Sequence, residues 1–134
     1  MKTIISIILL LFFVVGFAQN TDNTYLSHDH NYGSAYSYAV TEFIIHSDST
    51  YTRKDYDLSS KKEWKDYKQY TPEISIGKIH TKGKFQILTE YHNGNKTDFF
   101  WAAKIKERKL IFFFPNRRGI MKRTAVYKRI DKKI

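Results

Sequence analysis

KFQILTEYHNGNKTDFFWAAKIKERKLIFFF, residues 84–114, decides the fold. It holds three short runs of aromatic and aliphatic residues, and polar reversals separate them. Asn93-Gly94 is the strongest of these signals, because a two-residue type I′ hairpin turn needs positive φ at both positions and this pair tolerates it. Alternate side chains of a strand point to opposite faces. Sorted by that period, Phe85, Ile87 and Tyr91, then Phe99, Trp101, Ala103 and Ile105, then Leu110, Phe112 and Phe114 make a common inner face. The outer face reads Lys84, Gln86, Glu90, Asp98, Lys104 and Lys106.

The same grammar extends both ways. Upstream, residues 74–81 turn through Lys82-Gly83 into the first run, and downstream 115–119 connects to 120–130. Residues 35–46 and 49–56 form a further hairpin around Ser47-Asp48, whose short side chains bond their own backbone and favour a reversal. Only 59–70 breaks the alternation. Ser60-Lys61-Lys62-Glu63 has the spacing of a capping box, Trp64 and Tyr67 share one helical face, and Pro72 follows as the stop. These elements predict an all-β, antiparallel up-and-down meander with one short helix. Seven or eight strands with one apolar face hide it by closing into a small barrel, with a sandwich as the structural competitor.

The first 18 residues carry Lys2, then an apolar stretch over 4–17, then Gly16-Phe17-Ala18, the three zones of a cleavable export signal. The stretch is shorter than the roughly 20 residues a membrane-spanning helix requires, so no anchor is expected after cleavage. The expected organisation is a signal at 1–18, a flexible polar segment at 19–31 and a barrel domain at 32–134. Without cysteine the chain has no disulfide framework, thiol nucleophile or site for lipid attachment at a mature N-terminus, so stability rests on packing. Nineteen aromatic residues beyond the signal supply that packing. A periplasmic or secreted location is expected.

The order of elements resembles the small secreted bacterial lipocalin-like barrels. The likeness lies in 41–51 with its Asp48-Ser49-Thr50-Tyr51 ending, in Ile76-Gly77-Lys78-Ile79, in Lys82-Gly83-Lys84-Phe85-Gln86-Ile87-Leu88 and in the closing Val126-Tyr127-Lys128-Arg129-Ile130. The resemblance implies the fold and no fixed activity. Larger lipocalins open with Gly-x-Trp beneath a C-terminal arginine. Gly33-Ser34-Ala35-Tyr36 lacks the tryptophan, and Arg129 is the residue positioned to cap the barrel.

A small eight-stranded barrel is either filled by its own side chains or holds one small ligand, and the sequence leaves both open. If a ligand enters, Tyr91, Phe99, Trp101 and Phe112 are its expected contacts, since Tyr and Trp join a large apolar surface to a polar tip. Charge gives the second candidate. Residues 104–133 hold twelve Lys and Arg against Glu107 and Asp131, whereas 19–103 hold ten basic and eleven acidic residues. Such a positive segment attracts anionic lipid, lipopolysaccharide or acidic polysaccharide, with Arg117, Arg118, Lys122 and Arg123 as the contacts. Nucleic acid is the least expected polyanion for an exported chain. His28-Asp29-His30 on a floppy segment lacks preset ligand geometry, and His46, His80 and His92 fall on separate elements, so no metal or cofactor is expected. No nucleophile elbow, phosphate cradle or His-Glu-x-x-His pattern is present. The expected class is therefore a non-enzymatic binding domain for a small hydrophobic or amphipathic ligand. An anionic-surface interaction protein and a filled structural domain are the alternatives.

Overall fold

Strand and turn alternate along the chain, and in a computed structural model, which describes residues 22–131, the strands close into an eight-stranded barrel. They are β1 (Asn23–Tyr32), β2 (Tyr36–Ile45), β3 (Thr50–Leu58), β4 (Glu73–Lys82), β5 (Phe85–His92), β6 (Asn95–Ile105), β7 (Lys109–Pro115) and β8 (Met121–Arg129). A 3₁₀ helix, Lys61–Gln69, joins β3 to β4. Every pairing is antiparallel and β1 returns to β8, which makes an up-and-down barrel and sets the sandwich aside. Asn93 at φ 51 and Gly94 at φ 79 form the turn their sequence predicts. Among the described residues no helix is long and apolar enough to cross a membrane. The expected export signal at 1–18 lies outside the described residues.

The segment expected to be flexible, 19–31, is instead a strand from Asn23 onward. Asn23–Tyr32 is a ten-residue strand, paired along its length with β2 and at its start with β8, so the barrel begins before residue 32. Its inward Tyr25 is fully buried, and the Tyr25 hydroxyl donates to the Lys106 carbonyl at 2.6 Å.

Directly opposed residues share a face, so the register fixes which side chains enter. Phe43 lies opposite Tyr25, Leu88 opposite Ile79 and Trp101, and Phe112 opposite Ala103 and Ala125. These line the interior together with Tyr51, Leu110, Ile105 and Tyr127. Tyr51 fits because the facing position is Gly77, where a Cβ would run into the Tyr51 ring and the Thr89 carbonyl.

On β5 the expected face is reversed: Leu88 points in with Gln86 and Glu90, while Phe85, Ile87 and Tyr91 point out. Phe85 packs outside on Phe113, ring centroids 5.1 Å apart, and the Lys104 ammonium lies 5.6 Å and 5.2 Å from the two rings. Trp101, Ala103, Ile105, Leu110 and Phe112 point inward as expected, but Phe99 and Phe114 lie exposed beyond the packed part of the barrel.

A second core sits outside the wall. Tyr38, Val40, Tyr56 and Leu58 on the outer faces of β2 and β3 are covered by Tyr67 and Trp64 of the helix. Asp66 leaves helical dihedrals at φ -105 and ψ 23, so the segment kinks between Trp64 and Tyr67, and both still reach the sheet. The expected capping box does not form; Ser60 makes no side-chain cap, and Ser59 Oγ instead donates to Glu63 at 2.9 Å.

The two ends of the barrel differ. At the end where β1 begins, Arg129 donates to the Glu107 carbonyl at 3.1 Å and to Asn23 Oδ1 at 2.7 Å, and it pairs with Asp131 at 3.0 Å. That clasp joins the β1–β8 seam to the β6–β7 turn and closes the base. The opposite end carries the β1–β2, β5–β6 and β7–β8 connections and the helical one from β3 to β4. There β1 and β8 separate beyond Leu26 opposite Lys128, and β6 and β7 separate beyond Ala102 opposite Phe113, which leaves the end open.

Candidate functional site

Apart from Gln86 and the Arg129 clasp, inward residues of the basal half are aromatic or aliphatic and fill it, whereas toward the open end the inward positions turn polar. Thr41 on β2 and Arg53 and Asp55 on β3 are opposed pairs or neighbours of Phe43 on this face. The result is a cup of ≈ 370 Å³ walled by Thr41, Phe43, Arg53, Asp55, Trp101, Phe112, Phe114, Thr124, Ala125 and Tyr127. Five strands contribute to it. A volume of this size is at the lower end of what small-molecule sites occupy, about 300–1,000 Å³.

Its aromatic part is a cluster around Phe43, with ring centroids 5.1 Å from Phe112, 5.3 Å from Tyr127 and 6.1 Å from Trp101. Its polar part is built on Arg53. Arg53 Nε lies 2.8 Å from Asp55 Oδ2, a charge contact off the axis of a hydrogen bond, and Arg53 Nη2 lies 3.8 Å from Glu90 Oε1. The guanidinium carbon sits 4.9 Å from the Trp101 ring centre, a cation–π geometry that holds both groups in place. Asp55 also accepts from Thr41 Oγ1 at 2.9 Å. One cation thus faces two carboxylates.

Burial raises the Tyr127 phenol above its ordinary value, and Asp55 adds to the effect. Burial also raises Tyr51, with Glu90 adding and Arg53 opposing. Tyr51 has no hydrogen-bond partner for its buried hydroxyl among the described residues, and such orphaned groups call for a physical reason. No cluster of three or more metal-ligating carboxylate, imidazole or thiolate groups occurs among the described residues.

Of the residues expected to bind a ligand, Trp101 and Phe112 line the cup. Phe99 lines a neighbouring rim hollow of ≈ 700 Å³, which shares Arg53 and Trp101 with it. Tyr91 lies on the outer wall, where Lys78 Nζ is 4.7 Å from its ring centre, and lines that hollow and another beside Ile76 and Lys78, but not the cup. The cup is the better site because its walls run onto the packed aromatic cluster around Phe43, whereas the larger hollow spreads over the rim at Glu73, Ile74 and Asn93. Sequence reading missed Phe43, Arg53, Asp55, Glu90 and Tyr127; the available signal was Tyr51-Thr52-Arg53-Lys54-Asp55, whose alternation puts the charged side chains on the buried tyrosine's face.

Arg117 and Arg118 occupy the β7–β8 loop and Lys122 and Arg123 begin β8, all exposed at the open end. Asn116 orders this loop: its Oδ1 accepts from Arg118 N at 2.9 Å and Ile120 N at 3.0 Å. Comparison with known proteins gives no relative, as no family model, no curated protein and no solved structure matches the chain.

Proposed function

We propose that the protein is a non-enzymatic, exported binding domain that takes one small hydrophobic or amphipathic molecule into the open half of a lipocalin-like barrel. The single observation that carries this reading is the cup, in which an aromatic wall adjoins the Arg53–Asp55 pair at one mouth. An apolar body packs against Phe43, Phe112 and Tyr127, and a polar end meets Thr41, Asp55 and Arg53. Because Glu90 and Asp55 both flank Arg53, a head group that donates hydrogen bonds is favoured over a bare carboxylate. The basal clasp supports the lipocalin-like reading. Asn23-Thr24-Tyr25 opens β1 with a buried tyrosine below Arg129, the arrangement that a Gly-x-Trp opening and a C-terminal arginine make in the larger group.

Titration with a neutral environment-sensitive fluorophore tests it. Saturable binding is expected, and Ala125→Trp, which fills the cup from β8, abolishes it without lowering the melting temperature. Equal binding by that variant, or none by the parent, counts against the cup as a container.

A second reading is favoured by the exposed group Arg117, Arg118, Lys122 and Arg123 at the open end: an interaction protein that docks on an anionic surface. It predicts binding that weakens steeply with ionic strength, as screening of exposed charges requires.

A further inference from the structure

Large apolar side chains that remain exposed are not scattered over this barrel. Of the nine such residues among those described, only Ile130 lies at the base; Tyr32, Tyr36, Ile74, Ile76, Phe99, Phe100, Phe114 and Ile120 lie on the half toward the open end. Clustered exposure of this kind marks an interaction surface.

The densest part is the corner where β6 and β7 separate. Phe99 is 67% exposed, Phe100 65%, Phe114 69% and Ile120 51%. The same corner carries Lys96, Arg117, Arg118, Lys122 and Arg123, all exposed, against Asp98 in residues 96–100 and 114–123 and Glu73 and Glu90 in the rim hollow beside Phe99, which leaves the basic side chains in excess. Apolar rings beside unbalanced lysine and arginine are the chemistry of a monotopic membrane contact. The rings enter the headgroup–acyl boundary and the cations meet anionic headgroups. A globular protein partner would need acidic groups over the cations and an apolar pocket for each ring, whereas a bilayer supplies both along any orientation.

The corner is also continuous with the cup. Trp101 is shared by the cup, lined by Phe114, and the rim hollow, lined by Phe99.

We infer that the protein docks on an anionic phospholipid bilayer through this open-end corner, inserting Phe99, Phe100, Phe114 and Ile120 between the headgroups that Arg117, Arg118, Lys122 and Arg123 neutralise. The inference rests on the surface-docking reading above and gives it an orientation: the mouth of the cup faces the membrane, and an apolar ligand passes from the bilayer past Phe99 and Phe114 to Trp101.

The test uses the chain from Gln19 onward, which retains all eight strands and the Arg129 clasp and omits the apolar N-terminal stretch. Flotation is measured with vesicles of phosphatidylcholine alone and with added phosphatidylglycerol, and a neutral fluorophore is titrated in solution in parallel. Binding only to the phosphatidylglycerol vesicles is expected. Arg117→Gln with Arg118→Gln weakens it about thirtyfold, since each basic side chain near an anionic leaflet contributes about a fivefold gain. Phe99→Ser with Phe114→Ser, both at exposed positions, also loses the vesicles while retaining the parent melting temperature.

Vesicle binding that survives the two serines, or equal capture by an acidic polysaccharide, overturns the bilayer in favour of a general polyanion. A dimer in light scattering that dissociates in the serine variant overturns it in favour of a second copy. Failure of the fluorophore titration with vesicle binding intact removes the cup reading alone; the reverse result removes only the docking.

Discussion

His28 holds the helix to the barrel through neutral chemistry. Its ring stacks on Trp64 at 4.0 Å with an interplanar angle of 13°, and its Nδ1 shares a 2.6 Å hydrogen bond with the Tyr38 hydroxyl. Desolvation lowers its pKa from the ordinary 6.5, Lys61 and Lys128 lower it further, and Asp29 opposes them. The sign follows directly. A depressed folded-state value means that the unfolded chain binds the proton more readily, so this contribution is complete above 6.5 and is lost as pH falls through and below that value. Melting temperatures taken from about pH 7.5 down to about pH 5 should therefore decline, with a smaller decline in His28→Asn. Identical slopes in the two proteins would show that His28 does not sense the proton.

At the scale of elements, the helix is fixed by a buried polar contact as well as by its rings. Glu42, 4% exposed on the outer face of β2, accepts a short hydrogen bond from the Tyr67 hydroxyl, and Tyr67 meets Tyr56 edge-on at 5.0 Å. Tyr67→Phe leaves the Glu42 carboxylate buried without its donor and should cost about 1–3 kcal/mol in denaturant unfolding. Glu42→Gln with Tyr67→Phe should cost less than that single change, because an amide tolerates the loss better than a charge.

The elements also show what the sequence made legible. From 74 onward strands and turns could be read because each reversal has its own chemistry, as with Asn93-Gly94 and Lys82-Gly83. Strand β1 could not, because its inward positions near the open end, Ser27, Asp29 and Asn31, border a wet mouth while its outward ones carry His28 and His30. Neither face alternates in hydrophobicity. The face of β5 was misread for the converse reason. Phe85 has an apolar partner outside the barrel in Phe113, and Gln86 inside bonds the Ile105 amide at 3.2 Å, so the polar side chain is the inward one. The candidate site inherited the β5 error, since Tyr91 follows β5 outward, while Arg53 and Asp55 on β3 were hidden by the ordinary expectation that charges face water.

For the whole molecule, the proposed function puts stability and binding at opposite ends of one barrel. The base is clasped by Arg129, whereas the open end is cupped and apolar at its rim, and none of the clasp residues Asn23, Glu107, Arg129 and Asp131 lines the cup. Substitutions that are distant and share no partners add in free energy, while those in contact do not. Arg129→Gln breaks charge-assisted hydrogen bonds to Asp131, Glu107 and Asn23 and should lower unfolding free energy by about 2–3 kcal/mol. It should leave fluorophore affinity unchanged. The clasp also depends on pH through Asp131, whose carboxyl is held below its usual range, chiefly by Arg129, so its contribution vanishes as pH falls through that lowered value. Ala125→Trp has the opposite profile, with affinity lost and stability kept. Combining it with Arg129→Gln should then give the simple sum of the two stability changes. A strong interaction between the two, measured as non-additive unfolding free energies, would mean that the cup and the clasp form one cooperative core. In that event a ligand entering the mouth would be felt at the base.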